Sequence, residues 1–108
     1  MKRFSIKYLP DAINFLENIE TKAAEKLLFN ISKSQEITES RLFKKLKNSN
    51  IWEFRAKYRN NEYRLFAFWD KKENTFVICT HGILKKTQKT SKKEIEKAEQ
   101  IRKQYFGL

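Results

Sequence analysis

The feature that most constrains the fold is an alternation of apolar and polar residues over positions 51–69. A period of two is typical of β-strands with one buried face. The pair Asn60-Asn61 interrupts the alternation, and asparagine tolerates the positive φ of tight turns better than most residues. We therefore predict an antiparallel hairpin that turns at these two residues.

The register of this hairpin divides its side chains between two faces. One face is apolar and is predicted to be the core face, with Trp52, Phe54, Ala56, Tyr58, Tyr63, Leu65, Ala67 and Trp69. The other face mixes positive charge with aromatic rings and is predicted to be exposed, with Glu53, Arg55, Lys57, Arg64, Phe66 and Phe68.

Two further strands are predicted. Residues 75–81 contain a continuous apolar run, which is typical of a strand buried on both faces, and residues 70–74 form the turn before it. Cys79 and His81, two positions apart on this strand, are expected to share a face. A short N-terminal strand is predicted from the alternation of Phe4, Ile6 and Tyr8 with polar residues.

Three amphipathic segments predict helices. The first begins at Pro10 and runs to Ile19, and the second presents an apolar stripe of Ala24, Leu27, Leu28 and Ile31. The third starts at the capping box formed by Ser91 and Glu94 and ends at Gly107.

The polar residues 35–50 are predicted to be a loop anchored by Phe43 and Leu46. The predicted fold class is α+β, with the order β-α-α-β-β-β-α. A single domain spans residues 1–108, in which an antiparallel sheet packs on a two-helix hairpin with a C-terminal helix.

Net charge indicates the kind of partner. The chain has 24 Lys and Arg against 13 Asp and Glu, a formal net charge of +11. Such a field attracts polyanions, although a lysine-rich solvated surface gives the same total. The densest basic stretch covers residues 81–93 and has no acidic residue; its lysines are Lys85, Lys86, Lys89, Lys92 and Lys93.

Several kinds of site are not indicated by the sequence. It has no nucleotide-binding glycine motif and no paired-cysteine metal motif, so we expect no metal and no cofactor. Cys79 is the only cysteine and lies in an apolar run, where burial would raise its pKa and make it a poor nucleophile. No segment has the length and apolarity of a signal peptide or membrane span, so we expect a cytoplasmic protein that does not bind membranes.

The remaining candidates form one basic constellation. Arg55, Lys57 and Arg64 are predicted on the exposed sheet face, with Lys85, Lys86 and Lys89 just beyond the last strand. Arginine can hold two phosphate oxygens at once, and an exposed ring of Phe66 or Phe68 could stack with a base. These residues predict binding of a nucleic-acid backbone.

Each part of the constellation also has a purely structural interpretation. The C-terminal helix could cover Phe66 and Phe68 as a second small core, and the lysines could belong to a solvated loop. His81 could simply cap a backbone carbonyl at the strand end.

The segments that contain these residues resemble a known family. The relevant residues are Leu46-Lys47, Ile51 to Arg55, Glu62 to Leu65, and the run Thr80-His81-Gly82-Ile83-Leu84-Lys85-Lys86-Thr87-Gln88-Lys89-Thr90 that leads into a helix. They resemble the RelE/ParE toxin superfamily, in its HigB-like, phage-derived branch. One position differs, because the family usually has Phe after the His-Gly pair and this chain has Ile83.

The resemblance implies a toxin of a type II toxin–antitoxin system that enters the ribosomal A site and cleaves mRNA without a metal ion. Its implied partners are mRNA on the ribosome and a cognate helix-turn-helix antitoxin. The positions that match the family pattern are Arg55, Arg64, His81, Lys85 and Lys86.

Within this resemblance, Arg64 and Lys86 are expected to stabilise charge in the transition state, and His81 or Lys85 to transfer protons. Tyr105 is a further candidate from the last helix, although it also fits that helix's apolar stripe. Two alternatives remain open at this point: a gyrase-poisoning toxin of the same fold, or a non-catalytic relative that binds only an antitoxin or nucleic acid.

Overall fold

The computed structural model describes residues 2–85 and 90–108, and it confirms the α+β class. The described residues form three helices and five strands, one strand more than predicted. The elements are β1 (Ser5–Tyr8), α1 (Pro10–Asn18), α2 (Thr21–Glu36), β2 (Phe43–Lys45), β3 (Trp52–Tyr58), β4 (Asn61–Asp70), β5 (Phe76–Lys85) and α3 (Lys92–Phe106).

The five strands form one mixed sheet in the order β1-β5-β4-β3-β2. The strands β2 to β5 are antiparallel neighbours, whereas β1 pairs with β5 in parallel. The prediction of a wholly antiparallel sheet is therefore wrong at β1. After β1, helices α1 and α2 connect to β2 at the opposite edge of the sheet. The antiparallel strands β2 to β5 then lead back across the sheet, and β5 lies beside β1 in the same direction.

Strand β2 lies within the segment that was predicted to be a loop, so that prediction is wrong for Phe43–Lys45. The strand has only three residues, too few to show an alternation. Phe43 pairs with Phe54, and their rings stack with centroids 4.1 Å apart. The predicted anchoring role of Phe43 and Leu46 is confirmed, since both side chains are buried.

The hairpin between β3 and β4 turns one residue earlier than predicted. Arg59 and Asn60 occupy the turn with φ of 51° and 64°. Moving a hairpin turn by one residue shifts every strand pair by two, and a shift of two keeps each side chain on its face. Phe54 accordingly pairs with Leu65, and the whole predicted core face packs in the main hydrophobic cluster.

Helices α1 and α2 cover this core face, but α2 buries a stripe that differs in part from the predicted one. Leu27 and Ile31 are buried as predicted, whereas Leu28 is 41% exposed. The polar Asn30 is buried instead, because its Nδ2 donates a hydrogen bond of 2.9 Å to the Arg55 carbonyl on β3. The buried stripe of α2 therefore includes a polar side chain that is paired with the sheet backbone.

Helix α3 covers the other face of the sheet. The predicted ends of this helix are confirmed, since the Ser91 hydroxyl accepts from the Glu94 backbone N–H and Gly107 ends the helix with φ of 73°. Only this half of the predicted capping box is formed among the described contacts, because the Glu94 carboxylate lies 3.1 Å from His81 Nε2. Beneath the helix lies a second apolar cluster, with Leu46, Ile51, Phe66, Phe68, Ile78 and Ala98. No helix in the described part of the chain is long and apolar enough to span a membrane.

Candidate active site

An irregularity in β5 sets the position of His81. Leu65 pairs with Gly82 and Ala67 pairs with Cys79, so β5 has one more residue than β4 over this stretch. Such a β-bulge reverses the facing of the residues that follow it. Cys79 points into the core under α1 and α2, whereas the His81 ring lies 4.9 Å from the Phe66 ring under α3. The prediction that Cys79 and His81 share a face is therefore wrong.

The bulge places His81 on the same face as four of the predicted cations. Arg55 and Arg64 are direct cross-strand partners on β3 and β4. In the next row Lys57 pairs with Glu62, which in turn pairs with Lys85 on β5. The structure thus brings Arg55, Lys57, Arg64, His81 and Lys85 to one end of one sheet face.

Arg64 is the centre of a buried ion network and is only 1% exposed, so the prediction that it lies on an exposed face is wrong. Its Nη1 lies 2.7 Å from Glu53 Oε1 and its Nη2 lies 3.0 Å from Glu62 Oε1. Nη1 also donates to the Thr90 hydroxyl at 3.0 Å, and that hydroxyl donates to Glu53 Oε2 at 2.9 Å. Arg55 reaches the same carboxylate, at 3.5 Å.

Glu53 was not a candidate from the sequence, although its carboxylate contacts both arginines of this network and the residue is 1% exposed. The sequence did contain an indication of this pairing. In the hairpin Glu53 is diagonal to Arg64 across β3 and β4, on a face otherwise rich in cations. A buried carboxylate requires a positive partner, and two arginines surround this one.

His81 is 3% exposed, and both ring nitrogens have partners. Nε2 lies 3.1 Å from Glu94 Oε1 on α3, and Nδ1 lies 3.0 Å from the Thr80 hydroxyl. An ionised carboxylate only accepts hydrogen bonds, so we assign the proton to Nε2. Burial lowers the pKa of His81, and the hydrogen bond to Glu94 opposes this shift. The imidazole is consequently neutral at pH 7.

The remaining predicted site residues are placed elsewhere. Phe66 and Phe68 are fully buried beneath α3, so the prediction that they lie on an exposed face is wrong and the alternative of a second core applies to both. Lys86 and Lys89 lie outside the described residues.

Tyr105 lies away from the other candidates. Its hydroxyl donates to Asp70 Oδ2 at 2.9 Å, and its ring packs on Phe68. Asp70 is six residues along β4 from Arg64, a separation of about 20 Å at the rise of a β-strand. The structure therefore does not bring Tyr105 to the basic end of the sheet. Its contacts fit the interpretation of Tyr105 as a packing residue better than that of a catalytic residue.

Cys79 is fully buried, and burial strongly raises the pKa of its thiol, as predicted. Among residues 2–85 and 90–108, no three His, Cys, Asp or Glu side chains are grouped as metal ligands.

The fold is that of a RelE-like α+β protein. The structure is similar to a chain in the "Crystal structure of the intact E. coli RelBE toxin-antitoxin complex", with a TM-score of 0.55 and 16% sequence identity. The match covers 80% of this chain and 99% of that chain, and at this identity it concerns the fold alone.

The sequence identifies the family directly. The family sequence model described as "Phage derived protein Gp49-like" matches residues 14–103, and the chain belongs to this family. The predicted resemblance to the phage-derived branch of the RelE/ParE superfamily is confirmed by these two findings. A comparison with curated proteins gives no significant match.

Proposed function

We propose that the chain is the toxin of a type II toxin–antitoxin system and that it cleaves mRNA on the ribosome without a metal ion. Membership of the phage-derived family and the RelE-like fold support the toxin assignment. The observation that carries the proposal is the bulge in β5, which puts the His81 imidazole on the same face as the cations of β3, β4 and β5.

The proposed reaction is attack of a ribose 2′-OH on the adjacent phosphorus, with loss of the 5′-oxygen of the next nucleotide. The products are a 2′,3′-cyclic phosphate and a free 5′-OH. A base must take the 2′-OH proton, an acid must protonate the leaving oxygen, and cations must stabilise the additional negative charge on the phosphoryl oxygens.

We assign these roles to described residues of the α3 face and to two lysines outside the described residues, Lys86 and Lys89. Arg64, with Lys86 from outside the described residues, stabilises the phosphoryl oxygens. His81 and Lys85 transfer protons, while Arg55, Lys57 and Lys89 hold the RNA backbone. Tyr105 has no role in this proposal because it is paired with Asp70 at the far end of β4.

The ion pairs of Arg64 indicate how RNA would reach this residue. Arg64 holds the carboxylates of Glu53 and Glu62, and the Glu62 side chain is the more accessible, at 13% against 1% exposed. We infer that a phosphate replaces Glu62 on the guanidinium, since a phosphate oxygen can accept from Arg64 Nη2 as the Glu62 carboxylate does. Likewise, the RNA must displace the Glu94 carboxylate to reach His81 Nε2.

The partners in this proposal are mRNA on the ribosome and a cognate helix-turn-helix antitoxin. The resemblance implies the antitoxin, and a solved structure with this fold is a toxin–antitoxin complex. A net charge of +11 supports binding to both RNA and an acidic protein segment. We propose a cytoplasmic location, where both partners occur.

The proposal is tested by inducing the protein in growing cells and mapping new 5′ ends of cellular mRNA by primer extension. We expect growth arrest with new ends, and removal of one charge stabiliser should lower cleavage by about 10²-fold or more. Lys86→Ala removes a proposed charge stabiliser and Lys85→Ala a proposed proton-transfer residue, and Lys22→Ala, an exposed lysine on α2, is the matched control.

Two outcomes would replace the nuclease proposal. Growth arrest without new mRNA ends would exclude it, and a supercoiling assay would then test gyrase poisoning. Binding of RNA or antitoxin with neither growth arrest nor cleavage would indicate a non-catalytic relative.

A further inference from the structure

A second basic surface lies at the other end of the sheet from the candidate active site. It is a groove with a volume of about 370 Å³ where β4 ends and α3 passes the strands. Six residues line it, none of them acidic: Lys45, Asn50, Trp52, Trp69, Lys71 and Arg102. Trp69 is five residues from Arg64 on β4, which corresponds to about 17 Å along a strand.

The charge of this groove is largely uncompensated. Lys45 and Lys71 are exposed and form no ion pair with any described carboxylate. Arg102 is 3.6 Å from Glu99 Oε1, and the other Glu99 oxygen accepts from the Asn50 backbone N–H at 2.9 Å. Glu99 therefore anchors Arg102 beside the groove while neutralising one of three cations.

The acidic residues that adjoin the two tryptophans in the sequence are paired elsewhere. Glu53 follows Trp52 and pairs with Arg64. Asp70 follows Trp69, but its Oδ2 accepts from Tyr105 and its Oδ1 accepts from the Lys72 backbone N–H at 3.2 Å. These contacts hold the carboxylate on the α3 side. The groove keeps a positive balance that attracts anions.

The aromatic part of the groove is held firmly by the core. Trp52 and Trp69 meet edge to face with ring centroids 5.7 Å apart, and the Phe43 ring lies 4.9 Å from Trp52. Both tryptophans are only half-buried, so part of each ring faces the groove. Lys71 Nζ lies 5.0 Å above the Trp69 ring, which places one cation directly beside an aromatic surface.

We propose that this groove binds single-stranded nucleic acid. Lys45, Lys71 and Arg102 contact backbone phosphates, and a base packs against the exposed edge of the tryptophan pair. Cations that follow the backbone beside aromatic rings are the usual elements of single-strand recognition, which tolerates any base sequence. With respect to the proposed function, the groove is a separate contact that holds a strand outside the cleavage site.

The two tryptophans of the chain both lie in the groove, so their fluorescence reports its occupancy. We would titrate the full chain with a single-stranded DNA oligothymidine, which has no 2′-OH and cannot be cleaved by the proposed reaction. We expect saturable quenching. The double variant Lys45→Glu/Lys71→Glu should weaken binding about tenfold, and losing two phosphate contacts should reduce the salt slope of log K by about 1.4.

The control is the double variant Lys22→Glu/Lys33→Glu, which makes the same charge change on exposed positions of α2. We expect its quenching midpoint to stay close to that of the wild type. Circular dichroism at each titration temperature verifies that both double variants are folded.

Three results would overturn the proposal. The first is binding of the oligonucleotide, detected by anisotropy, without a change in tryptophan fluorescence. The second is an equal loss of affinity in both double variants, which would indicate diffuse charge. The third is quenching by polyglutamate but not by the oligonucleotide, which would assign the groove to an acidic protein segment. Because the probe is not a substrate, none of these results depends on whether the chain cleaves RNA.

Discussion

The two faces of the sheet are built from the same strands but from different chemistry. Among the described residues, the face under α1 and α2 buries no charged side chain, and its rings form a continuous aromatic cluster around Phe43 and Phe54. The face under α3 buries Glu53, Arg64 and His81. Apolar packing stabilises a fold, whereas buried charges cost desolvation energy that their pairing only partly offsets. The first face therefore stabilises the fold. The second face holds buried polar groups whose presence is not explained by a gain in stability.

The largest expected effect comes from breaking the ion network on the α3 face. Glu53→Ala leaves Arg64 buried with one carboxylate fewer, and removing one partner of a buried pair costs about 3–5 kcal/mol of unfolding free energy. Replacing both members with apolar residues, Glu53→Leu with Arg64→Met, should restore most of this loss because the two most deeply buried charges are then removed together. Urea denaturation measures both effects, and the double variant should lose RNA cleavage.

The neighbouring residue on the opposite face is the matched control. Phe54→Ala is expected to cost a similar amount, about 3–5 kcal/mol, through a cavity in the core. Combining it with Arg64→Met should not recover stability. A double variant at Glu53 and Arg64 that stayed as unstable as Glu53→Ala would mean that the network is required for folding, and the contrast between the faces would disappear.

The sequence was sufficient to predict the core face and most of the elements, because their signals are local. Alternation defines β3 and β4, and an error of one residue in the turn does not change which side chains face inward. The caps of α3 are single residues with specific chemistry. Strand β2 was missed because three residues show no period, and the parallel pairing of β1 depends on a contact about seventy residues away.

The candidate site was less predictable for a physical reason. The basic residues were identified from charge, but the burial of Arg64 depends on partners that lie apart in the sequence, Glu53, Glu62 and Thr90. The bulge in β5 is not visible in the run from Phe76 to His81, since an extra residue is defined only against its partner strand. Glu53 was treated as one charge on a mixed face, although it is the residue that holds Arg64.

A smaller effect is expected from adding volume to the apolar face at the bulge. A Cβ at Gly82 would lie 2.2 Å from Cδ2 of the Phe15 ring on α1, well inside van der Waals contact. Overpacking of this kind costs about 1–3 kcal/mol, so Gly82→Ala should lower the unfolding free energy by that amount. Phe15→Leu should reduce the penalty in the double variant. If the losses of unfolding free energy from Gly82→Ala and Phe15→Leu simply added in the double variant, the penalty at Gly82 would not come from contact with the Phe15 ring.

The smallest expected effect is the pH dependence of stability that His81 confers. His81 is the only histidine of the chain, so between pH 7.5 and 5.5 its titration is the main side-chain change. Burial lowers its pKa in the folded state, and the unfolded chain therefore binds the proton at a higher pH, near about 6.5. Stability is fully present above that value and declines as pH falls towards the folded pKa, with a slope of at most about 1.4 kcal/mol per pH unit.

Thermal unfolding at several pH values compares the wild type with His81→Gln, which keeps a polar side chain but does not titrate. We expect the Tm of the wild type to fall between pH 7.0 and 5.5 and the Tm of the variant to stay nearly level. A wild-type Tm that rises on acidification would mean that the ion pair with Glu94 outweighs burial. The imidazole would then be charged in the folded protein, and the α3 face would hold one more cation at the proposed cleavage site.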